Sequence, residues 1–134
     1  MPAILLTTFP MSIEKRRRLS AEINKNIQEI LDKQPGREHK LLTIRFVDVE
    51  RDHLAANGVL LDEDPRYYLH CEYTSYEVSE DEKRSICELL TPIFVKHLSE
   101  EKKPLSPRDV RFRFSTFDPK DFAVGTVFIH KEHK

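Results

Sequence analysis

Met1-Pro2-Ala3-Ile4-Leu5-Leu6-Thr7-Thr8 opens the chain, and its apolar run predicts a short strand over residues 3–8. Because an initiator methionine before a small residue is normally removed, we expect the mature chain to begin with Pro2 and a free secondary amine. An α-amino group titrates near ~8 in model peptides, and burial or neighbouring cations lower its pKa further. Pro2 is therefore a candidate general base at neutral pH.

The first half of the chain continues with a helix and a second strand. Ser12 is placed to cap a helix, and Gln34-Pro35-Gly36 should end it. Residues 41–49 then alternate as a strand, with Arg45 on the opposite face from Ile44 and Phe46. The apolar residues of the helix recur at helical spacing: Leu19, Ile23, Ile27, Ile30 and Leu31.

The second half repeats this order after a turn at Asn57-Gly58 and a short hairpin arm over residues 58–61. A strand is predicted over residues 67–73, and Ser79 with Glu82 forms the pattern of a capping box. Pro92 should kink or divide the second helix. A fourth strand is predicted over 110–117, a helical turn at Asp118-Pro119 and a small closing strand over 126–129. The second helix has its own apolar stripe: Ile86, Leu89, Leu90, Ile93, Phe94 and Leu98.

The order β-α-β, β-α-β predicts an α/β (α+β) domain over residues 1–134, with halves at about 1–50 and 66–118 and a C-terminal segment at 119–134. Each crossover makes its paired strands parallel, so both helices should cover one face of a four-stranded mixed sheet. The other face lacks a cover within the chain, which favours a symmetric oligomer.

The composition fits a soluble globular protein: 134 residues, 39% hydrophobic, 34% charged and a net charge of −1. That charge does not favour nucleic acid as a partner. No apolar stretch approaches the ~20 residues of a membrane span, and no signal peptide is visible, so we expect a cytoplasmic protein without membrane partners. Cys71 and Cys87 lack metal-ligand spacing, and we expect neither a metal nor another cofactor.

A β-α-β duplication that opens on Met-Pro resembles the tautomerase superfamily, which includes 4-oxalocrotonate tautomerase, macrophage migration inhibitory factor and malonate semialdehyde decarboxylase. Two further stretches carry the resemblance. One is Lys33-Gln34-Pro35 before the second strand; the other is Leu105-Ser106-Pro107-Arg108-Asp109-Val110-Arg111-Phe112-Arg113-Phe114. The resemblance implies a homotrimer of β-α-β-β-α-β subunits with active sites between subunits.

The resemblance also implies roles for individual residues. Pro2 matches the catalytic base, and Lys33 matches a lysine that faces the substrate carboxylate. Arg111 and Arg113 fall where migration inhibitory factor has a tyrosine and an asparagine that reach across the subunit boundary, and Arg45 matches an arginine of 4-oxalocrotonate tautomerase. Guanidinium groups there suit bidentate carboxylate binding. The alternative for Lys33 is an exposed lysine at a helix end, which the helix dipole favours. The alternative for the arginines is ion pairing with acidic residues at the surface.

The predicted function is tautomerase- or isomerase-type proton transfer on a 2-oxo acid or enol, a small carbonyl substrate that bears a carboxylate. The alternatives are a non-catalytic trimeric binding or signalling module and an enzyme similar to malonate semialdehyde decarboxylase. That decarboxylase uses an aspartate in the loop after its first helix, and Glu38 and His39 fall close to the matching point of this sequence. The resemblance disfavours hydration and dehalogenation, because the dehalogenases of this superfamily use a late glutamate to activate water and this chain has no glutamate near Ala123 and Val124. His70 is interpreted as a packed core histidine, and Tyr73 and Tyr76 as sheet-edge packing.

Overall fold

Two β-α-β units share one sheet in the computed structural model, which describes residues 2–33, 41–63, 67–99, 104–121 and 123–128. The helices are α1 (Ile13–Asp32) and α2 (Glu80–Leu98). The main strands are β1 (Ala3–Thr8), β2 (Thr43–Asp48), β5 (Leu69–Ser75) and β6 (Val110–Thr116). Two small hairpins pair β3 (Ala55–Ala56) with β4 (Val59–Leu60) and β7 (Ala123–Val124) with β8 (Val127–Phe128).

The four main strands lie in the order β2-β1-β5-β6. Strand β1 runs parallel to β2, and β5 runs parallel to β6, as the two crossovers require. The two units meet where β1 pairs antiparallel with β5 in the middle of the sheet. The predicted mixed sheet is therefore confirmed, and the start of β1 lies at the same end of the sheet as the finish of β5 and β6.

Both helices begin at the predicted serine caps. Ser12 Oγ accepts from Lys15 N at 3.2 Å, and Ser79 Oγ accepts from Glu82 N at 3.1 Å. Helix α1 ends at Asp32, while the predicted stop at residues 34–36 lies outside the described residues. The helix buries four residues of the predicted stripe against the sheet: Leu19, Ile23, Ile27 and Leu31.

Helix α2 is continuous through Pro92, so the prediction that proline divides the helix is wrong. Proline removes the hydrogen bond to the carbonyl four residues earlier, here that of Glu88. Both residues occupy exposed positions on the helix. Water can therefore replace the missing bond at this face, and the helix stays intact.

Alternate residues of the strands point away from the helices and form an open face of three cross-strand rows. His70 lies in this face, half-buried, because it alternates with the buried residues Leu69 and Cys71. The interpretation of His70 as a core histidine is therefore wrong. From β2 to β6, the rows are Thr43-Ala3-Thr74-Ser115, then Arg45-Leu5-Glu72-Arg113, then Val47-Thr7-His70-Arg111.

Candidate active site

Pro2 is buried at the end of the sheet, immediately before β1. Its carbonyl accepts a hydrogen bond from Thr43 N at 3.3 Å. This bond extends the parallel pairing of β1 and β2 by one residue and holds the Pro2 backbone in line with the sheet. Because β1 has neighbours on both sides, Pro2 lies near the middle of the sheet end rather than at a free edge.

A cavity of about 310 Å³ opens beside Pro2; we call it the Pro2 cavity. Asp121 is the one charged residue among the described residues that line it, and Leu41, 61% exposed, contributes an apolar surface. A cavity of this size holds a small-molecule ligand. Its wall combines residues from both β-α-β units: Pro2, Ala3, Leu41, Thr43, Thr74, Phe117 and Asp121.

The turn after β6 brings Phe117 and Asp121 to this cavity. Asp118 builds the turn: its Oδ1 accepts from Lys120 N at 2.9 Å, and its carbonyl accepts from Asp121 N at 2.8 Å. The Phe117 ring meets the Tyr76 ring edge-on, with centroids 6.3 Å apart. The sequence predicts this turn, but its contribution to the site follows only from the strand order.

Asp121 removes the reason for disfavouring hydration. That argument relies on the lack of a glutamate near Ala123 and Val124, yet the carboxylate of Asp121, two residues before Ala123, lines the Pro2 cavity. Glu38 and His39, the candidate counterparts of the decarboxylase aspartate, lie outside the described residues.

The predicted cationic residues lie elsewhere in the chain. Lys33 follows the end of α1 and lines a separate groove together with Asp81 and Glu88 of α2. Arg45 and Arg113 share the middle row of the open face, and Arg111 lies in the next row. None of the four lines the Pro2 cavity, so a single chain does not assemble the predicted clamp.

The two tyrosines have different environments. Tyr73 is fully buried in the core, its ring centroid 6.1 Å from that of Phe114, on a central strand rather than at a sheet edge. Its predicted edge position is therefore wrong. Tyr76, half-buried just after β5, packs against Phe117 and so supports the wall of the Pro2 cavity.

Outside this cavity, the described residues offer little nucleophilic or metal-binding chemistry. Burial raises the pKa of the Cys71 thiol to about 12, and Cys71 and Cys87 are both free. The described residues contain no group of three His, Cys, Asp or Glu side chains arranged to hold a metal ion. Of the described helices, none combines the length and apolar character of a membrane span.

The paired β-α-β units and the mixed sheet in the order β2-β1-β5-β6 make up the fold seen in solved structures of 4-OT and of macrophage migration inhibitory factor. Native fused 4-OT matches with a TM-score of 0.78 and 11% identity, over 96% of this chain and 97% of that chain. Macrophage migration inhibitory factor of Toxoplasma gondii matches with a TM-score of 0.70 and 11% identity, over 94% of this chain and 98% of that chain.

A fused 4-OT described as a symmetric trimer matches with a TM-score of 0.73 and 8% identity, over 97% of both chains. Other matching structures are a malonate semialdehyde decarboxylase inhibited by 3-bromopropiolate and a member of the cis-3-chloroacrylic acid dehalogenase family. No profile of a known protein family and no curated protein matches the sequence. At these identities the likeness establishes the fold and leaves the reaction open.

Proposed function

We propose that this protein catalyses tautomerase-type proton transfer next to a carbonyl group, on a 2-oxo acid or an enol, with the amine of Pro2 as general base. The observation that carries this proposal is the burial of Pro2 beside a cavity of about 310 Å³ at the end of the sheet. The proposal requires loss of Met1, because only a free amine has a lone pair available to accept a proton.

In the proposed reaction, the neutral Pro2 amine removes a proton from the carbon next to the substrate carbonyl. The electron pair of the broken C–H bond moves onto the carbonyl oxygen and gives an enolate, while the nitrogen becomes an ammonium. The ammonium then returns the proton to the oxygen or to another carbon. The apolar side chains of Ala3, Leu41 and Phe117 exclude water from one side of the reacting atoms.

We further propose that the protein works as a homotrimer in which the open face is covered by neighbouring subunits. This face has exposed arginines at Arg45, Arg111 and Arg113. A neighbouring chain could then present Arg111 and Arg113 at the Pro2 cavity, where they would bind a carboxylate and stabilise an enolate. Such cations would lower the pKa of the Pro2 amine, whereas the carboxylate of Asp121 would raise it. Lys33 remains a predicted carboxylate ligand.

The first test is Pro2→Ala, assayed as enol–keto conversion of an arylpyruvate by ultraviolet absorbance. Alanine leaves a flexible primary amine in place of the ring-held secondary amine, so the lone pair is no longer positioned and the rate should fall by about 10². Pro10→Ala is the matched control, since Pro10 is exposed just beyond β1. Intact mass spectrometry should show that Met1 is absent, and light scattering should show the same oligomer for the wild type and both variants. Full activity of Pro2→Ala would show that the ring-held amine of Pro2 is not required, which contradicts its proposed role.

The second test concerns the arginines. Arg111→Ala should raise KM about tenfold or more for a substrate with a carboxylate, because charge-assisted hydrogen bonds are strong. A neutral enol should be converted almost unchanged. Arg108→Ala, at another exposed arginine three residues earlier, is the control. Equal losses on acidic and neutral substrates would show that Arg111 does not bind the carboxylate.

The two other predicted functions give different results in the same assays. A non-catalytic binding module would show no acceleration and no change in Pro2→Ala. A decarboxylase would release carbon dioxide from a 3-oxo acid, which a coupled bicarbonate assay detects. The similarity to a malonate semialdehyde decarboxylase shows only that this fold supports an enzyme of that name.

A further inference from the structure

Ser75, the last residue of β5, carries a fully buried hydroxyl whose Oγ has no hydrogen-bond partner among the described residues. A hydroxyl that is removed from water and left unpaired destabilises the folded state. Such a group in a native protein therefore calls for an explanation. Ser75 belongs to the buried set of β5 residues that faces the helices, so a subunit that covers the open face does not change its surroundings.

The strand register places Ser75 opposite Pro2. Strands β1 and β5 pair antiparallel, and the last recorded pair at this end is Ala3 with Thr74. One step further along the same register, Pro2 lies opposite Ser75. Both residues are buried, and both continue the alternation that turns every second residue toward the helices. Directly opposed residues on one face of a sheet have Cβ atoms about 4.5–5.5 Å apart, so the two side chains are neighbours.

The two faces of the sheet offer the Pro2 nitrogen different surroundings. The Pro2 cavity lies on the side of the open-face residues Ala3, Thr43 and Thr74, whereas Ser75 lies on the helix side. A neutral secondary amine has one N–H and one lone pair. An N–H that donates to Ser75 on the buried side leaves the lone pair directed toward the cavity.

Loss of Met1 creates the donor that the Ser75 hydroxyl lacks. A proline nitrogen inside a chain is an amide without a hydrogen, so it cannot donate to Ser75 Oγ. The free amine that follows removal of Met1 has an N–H at this position. The unpaired hydroxyl and the buried proline therefore satisfy one another only in the mature chain.

We infer that Ser75 is a positioning residue whose Oγ accepts a hydrogen bond from the Pro2 amine and thereby directs the amine lone pair into the Pro2 cavity. This inference rests on the proposed function for its reaction and for the loss of Met1. During the proposed reaction the lone pair takes the substrate proton, the electron pair of the C–H bond moves to the carbonyl oxygen, and the N–H bonded to Ser75 stays in place. Ser75 itself neither gives nor takes a proton.

Ser75→Ala removes only the hydroxyl and tests this contact without requiring turnover. A hydroxyl that accepts from an ammonium favours the charged amine, so the variant should lower the pKa of the Pro2 amine by about one unit. The nitrogen signal of ¹⁵N-proline-labelled protein, followed as a function of pH, reports this pKa. The charges on the cavity side, Asp121 and any arginine of a neighbouring subunit, are the same in both proteins.

Thr8→Val is the matched control. It removes a buried hydroxyl at the other end of β1, where Thr8 Oγ1 donates to the Tyr68 carbonyl at 3.2 Å. Its loss should lower the urea midpoint and leave the pKa of the Pro2 amine unchanged.

A second measurement compares the mature protein with a form extended by one alanine before Pro2, in which the proline nitrogen is again an amide. Ser75→Ala should lower the urea midpoint of the mature protein, because it removes a hydrogen bond. In the extended form it should leave the midpoint unchanged or raise it, because the hydroxyl has no partner there. All midpoints are taken at one protein concentration.

Turnover, measured separately, tests the proposed function: Ser75→Ala should lower kcat about tenfold with little change in KM, since the lone pair is less well directed. A wild type with no turnover, together with the shift in pKa, would contradict the proposed reaction and leave the role of Ser75 supported. An unchanged pKa in Ser75→Ala, or equal changes of the urea midpoint in the mature and extended forms, would overturn the inference. Met1 still attached to the wild type would overturn both.

Discussion

Truncation of Ile23 to alanine should destabilise the protein by several kcal/mol. Ile23 is fully buried on the face of α1 that packs into the core. The change removes three carbons, worth about 0.8 kcal/mol each in lost burial, or about 2.4 kcal/mol together. The cavity left behind adds to this, so we expect about 3–4 kcal/mol, within the range of about 2–5 kcal/mol for such truncations. The melting temperature should fall by roughly 10 °C.

The same helix contains a matched control. Ile13 begins α1 and is 64% exposed, so Ile13→Ala makes the same chemical change outside the core. Its cost should stay within about 0.5 kcal/mol. Urea unfolding followed by far-ultraviolet circular dichroism gives both values, at one protein concentration, because the stability of an oligomer depends on concentration. Equal losses for the two variants, or a loss below about 1 kcal/mol for Ile23→Ala, would refute the assignment of the buried face.

Two further predictions concern titratable groups. Glu22 of α1 pairs with His97 of α2 and lies 3.6 Å from Lys96, and the hydrogen bond with His97 is the main cause that lowers the Glu22 pKa from its usual 4.5. A carboxylate whose pKa is lowered in the folded state stabilises the protein at a pH above its unfolded-state pKa, and this stabilisation is lost as the pH falls through the folded-state pKa. The urea midpoints of wild type and Glu22→Gln should therefore differ at pH 7 and converge well below pH 4.5. Iodoacetamide at pH 8 should modify half-buried Cys87 before Cys71, because Cys71 is buried and its pKa is about 12. The reagent should modify Cys71 only in urea. Equal rates of modification without urea would contradict the burial of Cys71.

The helices and main strands could be predicted because each leaves a local pattern. The apolar run predicts a strand over residues 3–8, and β1 spans Ala3–Thr8; both helices begin at the serines that the sequence predicts as caps. The candidate site left no comparable pattern. Leu41, Thr74 and Asp121 come together only because β1 pairs antiparallel with β5, and alternation within a single strand does not specify that pairing. The sequence does not predict the face on which His70 lies for a similar reason, since alternation does not show which side of the sheet the helices cover.

The strand order explains why the fold and the chemistry of the site can vary independently. Pro2 is held in place by its bond to Thr43 N and by the position of β1 between β2 and β5, which the core stabilises. Asp121 is exposed on a short turn beyond β6, and its side chain contributes nothing to that core. A substitution there changes the charge around Pro2 at little cost in folding free energy. The fold therefore fixes the position of the proline, whereas Asp121 on the turn after β6 can be replaced without disturbing the core that holds Pro2.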